Sequence, residues 1–153
     1  MSFNLLRMAD VHDKKTRSYN MSRIRGKDTK PEMLVRRYLH QSGFRYRLHA
    51  KYLPGKPDII LPKYRTVIFV NGCFWHGHEN CTHWRIPKTR TGWWKEKIKK
   101  RRALDTQHYA QLESENWRDL LIWECDLKPE RRGKTLYQLI KDLTDDDLDV
   151  SLF

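Results

Sequence analysis

At 153 residues the chain has room for one domain with a core of ordinary size, not two independent ones. A formal charge of +12 and a mean hydropathy of -0.86 argue against a membrane protein and for a phosphate-rich partner drawn in by attraction. Three cysteines, an odd number, argue against a secreted disulfide scaffold and suit thiolate ligands in a reducing cytoplasm.

In chain order, residues 1–28 are polar and basic with weak periodicity, and read as an arm that orders on a charged partner. Thr29, Pro31 and Glu32 form a helix start: a capping residue, a proline in the first turn and an acid at the third step. Met33, Leu34, Tyr38 and Leu39 continue at helical spacing, and Gly43 ends the segment. "FRYRLH" (44–49) alternates like a strand, and residues 53–57, "LPGKP", make a turn. "DIIL", opened by Asp58, and "TVIFV" (66–70) read as a hairpin joined by "PKYR", with the acid at its start.

Residues 91–116 read as a helix with Ile98, Leu104 and Leu112 turned inward. "WRDLLIWEC" (117–125) reads as a buried strand ending at Cys125, and "TLYQLIKDL" (135–143) as the last helix. The closing residues, 144–153, are acidic, a poor contact for DNA and a solvated tail. This order predicts an α/β domain over 29–143, with a small mixed central sheet flanked by helices. No apolar run approaches membrane-spanning length and no signal-peptide core opens the chain, so a cytoplasmic location is expected.

The densest chemistry is "GCFWHGHENCTHW" (72–84). Cys73, His78 and Cys81 are spaced C-x4-H-x2-C, and Cys125 follows at a predicted strand end. Thiolates with imidazole suit tetrahedral zinc, whereas magnesium and calcium prefer oxygen. Gly72 and Gly77 permit the irregular backbone such a site needs. His83 competes with His78 as the nitrogen ligand. If the segment is extended, His76 points away from His78, toward a reaction site.

Asp58 at a strand mouth is placed to hold Mg²⁺ against a phosphate, although a lone turn aspartate would look the same. With His76 as general acid or base and Lys56 neutralising phosphate, a phosphodiester hydrolase becomes a coherent reading. Glu32 either binds metal through water or caps its helix. Phe74, Trp75, Trp93 and Trp94 can wedge between base steps, though some belong to the core. Arg85, Lys88 and Arg90 would contact backbone phosphates.

The segments "ADVHDKKTRSYNM", "LPGKPDIIL", "VIFVNGCFWHGHENC", "PKTRTGWWKEKI" and "WECDL", in that order, resemble the very short patch repair (Vsr) endonucleases of bacteria. The resemblance covers nearly the whole chain, from about Ala9 to Lys141. It implies a restriction-endonuclease-like fold that nicks one strand of duplex DNA 5′ of the thymine in a thymine–guanine mismatch left by 5-methylcytosine deamination. It also implies Asp58 as the catalytic Mg²⁺ carboxylate, His76 as the catalytic histidine, and Cys73, His78, Cys81 and Cys125 as a structural zinc set. Phe74, Trp75 and Trp94 match aromatics that enter DNA beside the mismatch. Glu32 falls on an acidic position near the active site, and the basic arm matches one that clasps DNA.

Two departures stand out. The best-known member has histidine where this chain has Asn71, and an amide cannot exchange a proton at neutral pH. "HGHENC" also carries one extra residue between matching ligands. The rival readings are an endonuclease for another lesion, a non-catalytic zinc-stabilised DNA-binding module, and, more weakly, a zinc hydrolase. Nicking needs one active site, so a monomer is expected, with repair-pathway proteins as further partners.

Overall fold

The computed structural model describes residues 13–22 and 26–150. Much of the expected arm, residues 1–12 and 23–25, lies outside that range, as do residues 151–153. Within the arm, Lys14–Ser22 forms α1, where Asp13 Oδ1 accepts the Thr16 N–H at 2.7 Å. That contact is a local cap on a polar helix, which hydrophobic periodicity cannot register.

Helix α2 (Lys30–Gln41) begins as its residues dictate, with Thr29 Oγ1 accepting the Glu32 N–H at 3.3 Å. It ends on Gly43, whose φ of +89° needs no Cβ. The Gly43 N–H reaches His40 O at 3.1 Å and the Phe44 N–H reaches Leu39 O at 3.0 Å, the paired bonds of a Schellman stop.

Strands β1 (Arg47–Leu48), β2 (Ile59–Leu61), β3 (Thr66–Asn71) and β4 (Arg118–Trp123) form one four-stranded sheet in that order. β1–β2 and β2–β3 are antiparallel, and β3–β4 is parallel. The expected strand over 44–49 shrinks to two residues because Phe44 completes the α2 stop and His49, at φ +50°, leaves extended geometry. The expected hairpin is present, joined by a 3-10 turn at Pro62–Tyr64.

Helix α3 (Thr91–Ser114) spans the crossover from β3 to β4. A second 3-10 turn, Glu124–Leu127, leads to α4 (Pro129–Val150). α4 starts before the expected residue 135 and runs on through the acidic stretch. Two apolar layers divide the sheet's side chains by alternation. Ile59, Leu61 and Ile68 join Val35, Leu39 and Leu139, from α2 and α4. Ile60, Val67 and Phe69 join Leu112 of α3. Helices therefore cover both faces, which is why β2 and most of β3 are apolar without a break.

Two inward assignments change. Leu104 is 42% exposed, and Asp105 beside it is buried. β4 stops at Trp123, and Leu121 is 39% exposed because β4 is an edge strand. Among the described residues, no helix is long and apolar enough to cross a membrane.

Residues 73–78 are a turn, not the extended segment considered from sequence. His76 N–H bonds Gly72 O at 3.2 Å, Gly77 N–H bonds Phe74 O at 3.2 Å, and His78 N–H bonds Cys73 O at 2.9 Å. The last two repeat the Schellman geometry around Gly77, at φ +61°. A Cβ there would stand 2.4 Å from Ile98 Cγ2 and 2.8 Å from Arg102 Cδ. Gly77→Ala is therefore expected to cost about 2–4 kcal/mol, from left-handed strain plus overpacking. Chemical denaturation of the two proteins checks this; equal midpoints would contradict it.

Candidate functional site

Three groups of polar side chains gather where β3 ends. The first is made of sulfur and nitrogen. One ligand atom from each of Cys73, His78, Cys81 and Cys125 lies within 4.8 Å of all the others. His78 Nδ1 is 3.5 Å from Cys125 Sγ. Its ring stacks on Trp123 at 4.0 Å between centroids and 4° between planes, and its carbonyl accepts the Trp84 Nε1–H at 2.8 Å. His83 is not in the set; its backbone N–H points at Cys81 Sγ from 3.4 Å. None of the three cysteines is in a disulfide.

Burial raises the Cys73 and Cys125 thiols above their ordinary range; the Cys125 thiol adds to the rise at Cys73, and the Asp126 charge adds to it at Cys125 against the pull of a hydrogen bond with Cys73. Burial also lowers His78. These shifts favour neutral ligands, and a divalent cation reverses the balance by stabilising thiolate directly. The cluster can hold a metal ion. Four protein ligands would complete a tetrahedral shell and leave no open position.

The second group is made of carboxylates. Asp58 stands between the buried Pro57 and β2, and its Oδ2 accepts the Val70 N–H at 2.8 Å. Burial, then the nearby Glu32 charge, pushes its pKa up to about 6, against the pull of the Val70 N–H. Glu32 is 1% exposed. Its side chain does not turn back to the helix cap; it meets Arg36 at 3.1 Å and His49 Nε2 at 3.2 Å. Asp28, Glu32 and His49 also offer donors within 4.8 Å of one another. Arg36 Nη1 already touches Asp28 at 2.7 Å as well as Glu32, so the guanidinium supplies the cation those acids need.

The third group was only half legible from sequence. His76 Nδ1 lies 2.7 Å from Asp105 Oδ2, and Arg101 Nε holds the other carboxylate oxygen at 3.1 Å. Asp105 was missed, although a signal existed. Ile98, Asp105 and Leu112 are seven residues apart, so an acid occupies the inward line of α3 where an apolar residue is expected. Asn71, 3% exposed, donates from Nδ2 to the Tyr109 hydroxyl at 3.1 Å. Burial pushes that phenol up to about 12, which keeps it protonated at neutral pH.

An aromatic cluster adjoins these groups. Phe74 is its buried centre, with Trp75, Trp84 and Trp94 centroids at 4.9, 5.9 and 5.1 Å. Trp75 and Trp94 are half-buried. Of the expected phosphate contacts, Lys56, Arg85, Lys88 and Arg90 are all exposed. Lys56 leaves the turn before Asp58, and the other three lie on the loop entering α3.

Comparison with known proteins shows the family to which the chain belongs. The family model described as DNA mismatch endonuclease Vsr matches residues 9–83. The Type II nicking enzyme V.XorIIP of Xanthomonas oryzae is 47% identical over 78% of this chain and 88% of its own. The Type II nicking enzyme V.NmeAIP of Neisseria meningitidis is 42% identical over 90% and 99%, respectively. DNA mismatch endonuclease Vsr of Escherichia coli is 45% identical over 79% and 77%. Sharing this much sequence across the strand, turn and helix that carry the candidate site, the chain belongs to the Vsr family of DNA mismatch endonucleases.

Proposed function

We propose that this protein is a Mg²⁺-dependent, strand-specific endonuclease that nicks duplex DNA 5′ of the thymine in thymine–guanine mismatches, initiating very short patch repair. One observation carries the reading: the Asp58 carboxylate is seated by Val70 on the strand that runs directly into the His76–Asp105 pair. The fold would be a restriction-endonuclease-like α/β domain over 29–143, with residues 1–28 clasping DNA and 144–153 a solvated acidic tail. It acts as a cytoplasmic monomer.

Asp58 would hold the Mg²⁺, its carboxylate oxygens being the ligand type a hard cation prefers. When bound there, the ion supplies charge stabilisation at phosphorus and lowers the pKa of water. Asp105 accepts from His76 Nδ1, which leaves Nε2 free to take the proton of the attacking water. Arg36 and His49, through their contacts with its carboxylate, hold the buried Glu32 side chain in place near Asp58. Asn71, tied to Tyr109, acts by hydrogen bonding without moving a proton. Cys73, His78, Cys81 and Cys125 bind structural Zn²⁺. Trp75, Trp94 and, after rearrangement of its buried ring, Phe74 enter the duplex. Lys56, Arg85, Lys88 and Arg90 hold phosphates.

The test is a strand-labelled duplex with one thymine–guanine mismatch, beside its paired control, with Mg²⁺ or chelator and products mapped to one nucleotide. A single Mg²⁺-dependent nick 5′ of the thymine is expected; binding without any nick would move the assignment to a DNA-binding module. In the same assay His76→Ala should lower kcat by about 10²–10⁴-fold. Asp105→Asn should lower kcat by about 10–10²-fold through loss of orientation, with KM little changed. Full activity in Asp105→Asn would remove the residue from the mechanism.

A further inference from the structure

The aromatic cluster has an outer member that the functional reading leaves unused. Trp93, in the first turn of α3, is 45% exposed, whereas Phe74 is 4% exposed. Its ring meets Trp94 edge-on, at 4.8 Å and 82°. Arg90 Cζ lies 4.5 Å from the Trp93 centroid, and Lys97 Nζ lies 4.8 Å from it. Lys97 also stands 5.8 Å from Trp75 and 5.5 Å from Trp94, so one ammonium caps three indoles.

An indole this exposed is poor core material, and Trp94 already fills the inner position. Its setting matches the chemistry of a nucleic-acid contact: a π face to stack on a base, with cations within reach of the flanking phosphates. Exposed cation–π contacts are individually weaker than base–aromatic stacking. Exchanging one for the other is therefore favourable once phosphate oxygens replace the rings as partners for Arg90 and Lys97.

We propose that Trp93 is a further DNA-contacting aromatic, which stacks on a nucleobase exposed beside the mismatch while Arg90 and Lys97 transfer from its ring to flanking phosphates. This rests on the mismatch-nicking reading, but assigns Trp93 a specific part in it. The occupant is duplex DNA opened at the lesion; the positive charge of Arg90 and Lys97 complements an acidic backbone and would repel a basic partner. Trp93 thus acts in substrate binding, outside the His76–Asp105 chemistry.

The experiment measures affinity of the zinc-loaded protein for a thymine–guanine duplex in Mg²⁺-free buffer, across a salt series, and nicking of the same duplex with Mg²⁺. Trp93→Ala should weaken binding about ten-fold at every salt concentration, leaving the slope of log Kd against log salt unchanged. Trp93→Phe, which keeps a stacking face, should recover most of the loss. Lys97→Met should instead make the slope shallower by about one unit. Circular dichroism and zinc content confirm that each variant is folded.

Unchanged affinity in Trp93→Ala overturns the proposal. So does a loss that phenylalanine fails to restore, or a shallower slope in Trp93→Ala, which would mean that the ring merely positions the two cations. If wild-type protein neither binds nor nicks the mismatch, the function reading fails instead, so the two failures are distinguishable.

Discussion

Replacing Asp58 by asparagine should lower nicking by about 10³-fold or more on the proposed mechanism, in which several kcal/mol of charge stabilisation at phosphorus would go with this carboxylate. Binding of mismatched duplex in Mg²⁺-free buffer should persist, because the exposed cations are untouched. The same substitution should stabilise the Mg²⁺-free protein. Asp58 has a folded pKa of about 6, above the ordinary 3.8, so folding favours its protonated form. Stability is then lost as pH rises from about 4 to about 6, and asparagine abolishes that loss.

At pH 7 the gain should be about 1–3 kcal/mol, read as a rise of about 2–4 °C in Tm for each kcal/mol. Near pH 4 the two proteins should melt together. Mg²⁺-dependent nicking by the wild type should also fall below pH 6, as protons compete for the carboxylate. Asp58→Asn nicking within ten-fold of wild type would remove Asp58 from the reaction.

Cys125→Ser should release the metal from the Cys73–His78–Cys81–Cys125 cluster and lower stability by about 5 kcal/mol or more, because binding to such a site is folding energy. Thermal melting should fall by about 10–20 °C on that basis, with the metal content of the purified chain dropping from one equivalent toward none. Wild type treated with a strong chelator should melt where the variant does. Nicking should disappear as well, since Cys73 and His76 sit on one turn. A wild type without bound metal, or a Cys125→Ser protein that keeps its metal and its Tm, would refute the zinc assignment.

How far the sequence anticipated this arrangement depends on whether a signal is local. Thr29 and Gly43 bracket α2 because a cap and a left-handed stop each act within a few residues. "DIIL" and "TVIFV" declare a hairpin for the same reason. Sequence could not decide between His78 and His83, because the deciding partner, Cys125, comes from the far side of α3. Asp105, Tyr109 and Arg36 escaped because each acquires its role from a partner on another part of the fold or on the opposite side of a helix turn. Leu104 was misplaced by a single step along α3, where the inward line carries a charge instead of an apolar side chain. Phe74 is the reverse case: the motif marks it as a wedge, and only packing reveals that the ring is covered in the free protein.

The crossover of β3 to its parallel partner β4 passes through all of α3. On the ribosome, Asp58 and His76 emerge well before Asp105 and Cys125. A chain interrupted early in α3 would therefore carry Asp58 and His76 without Asp105, the carboxylate beside His76, and without Cys125, the fourth member of the sulfur and nitrogen cluster. On the proposed mechanism, synthesis order would act as a safety catch: cutting power would arrive only once β4 has been made and has paired with β3.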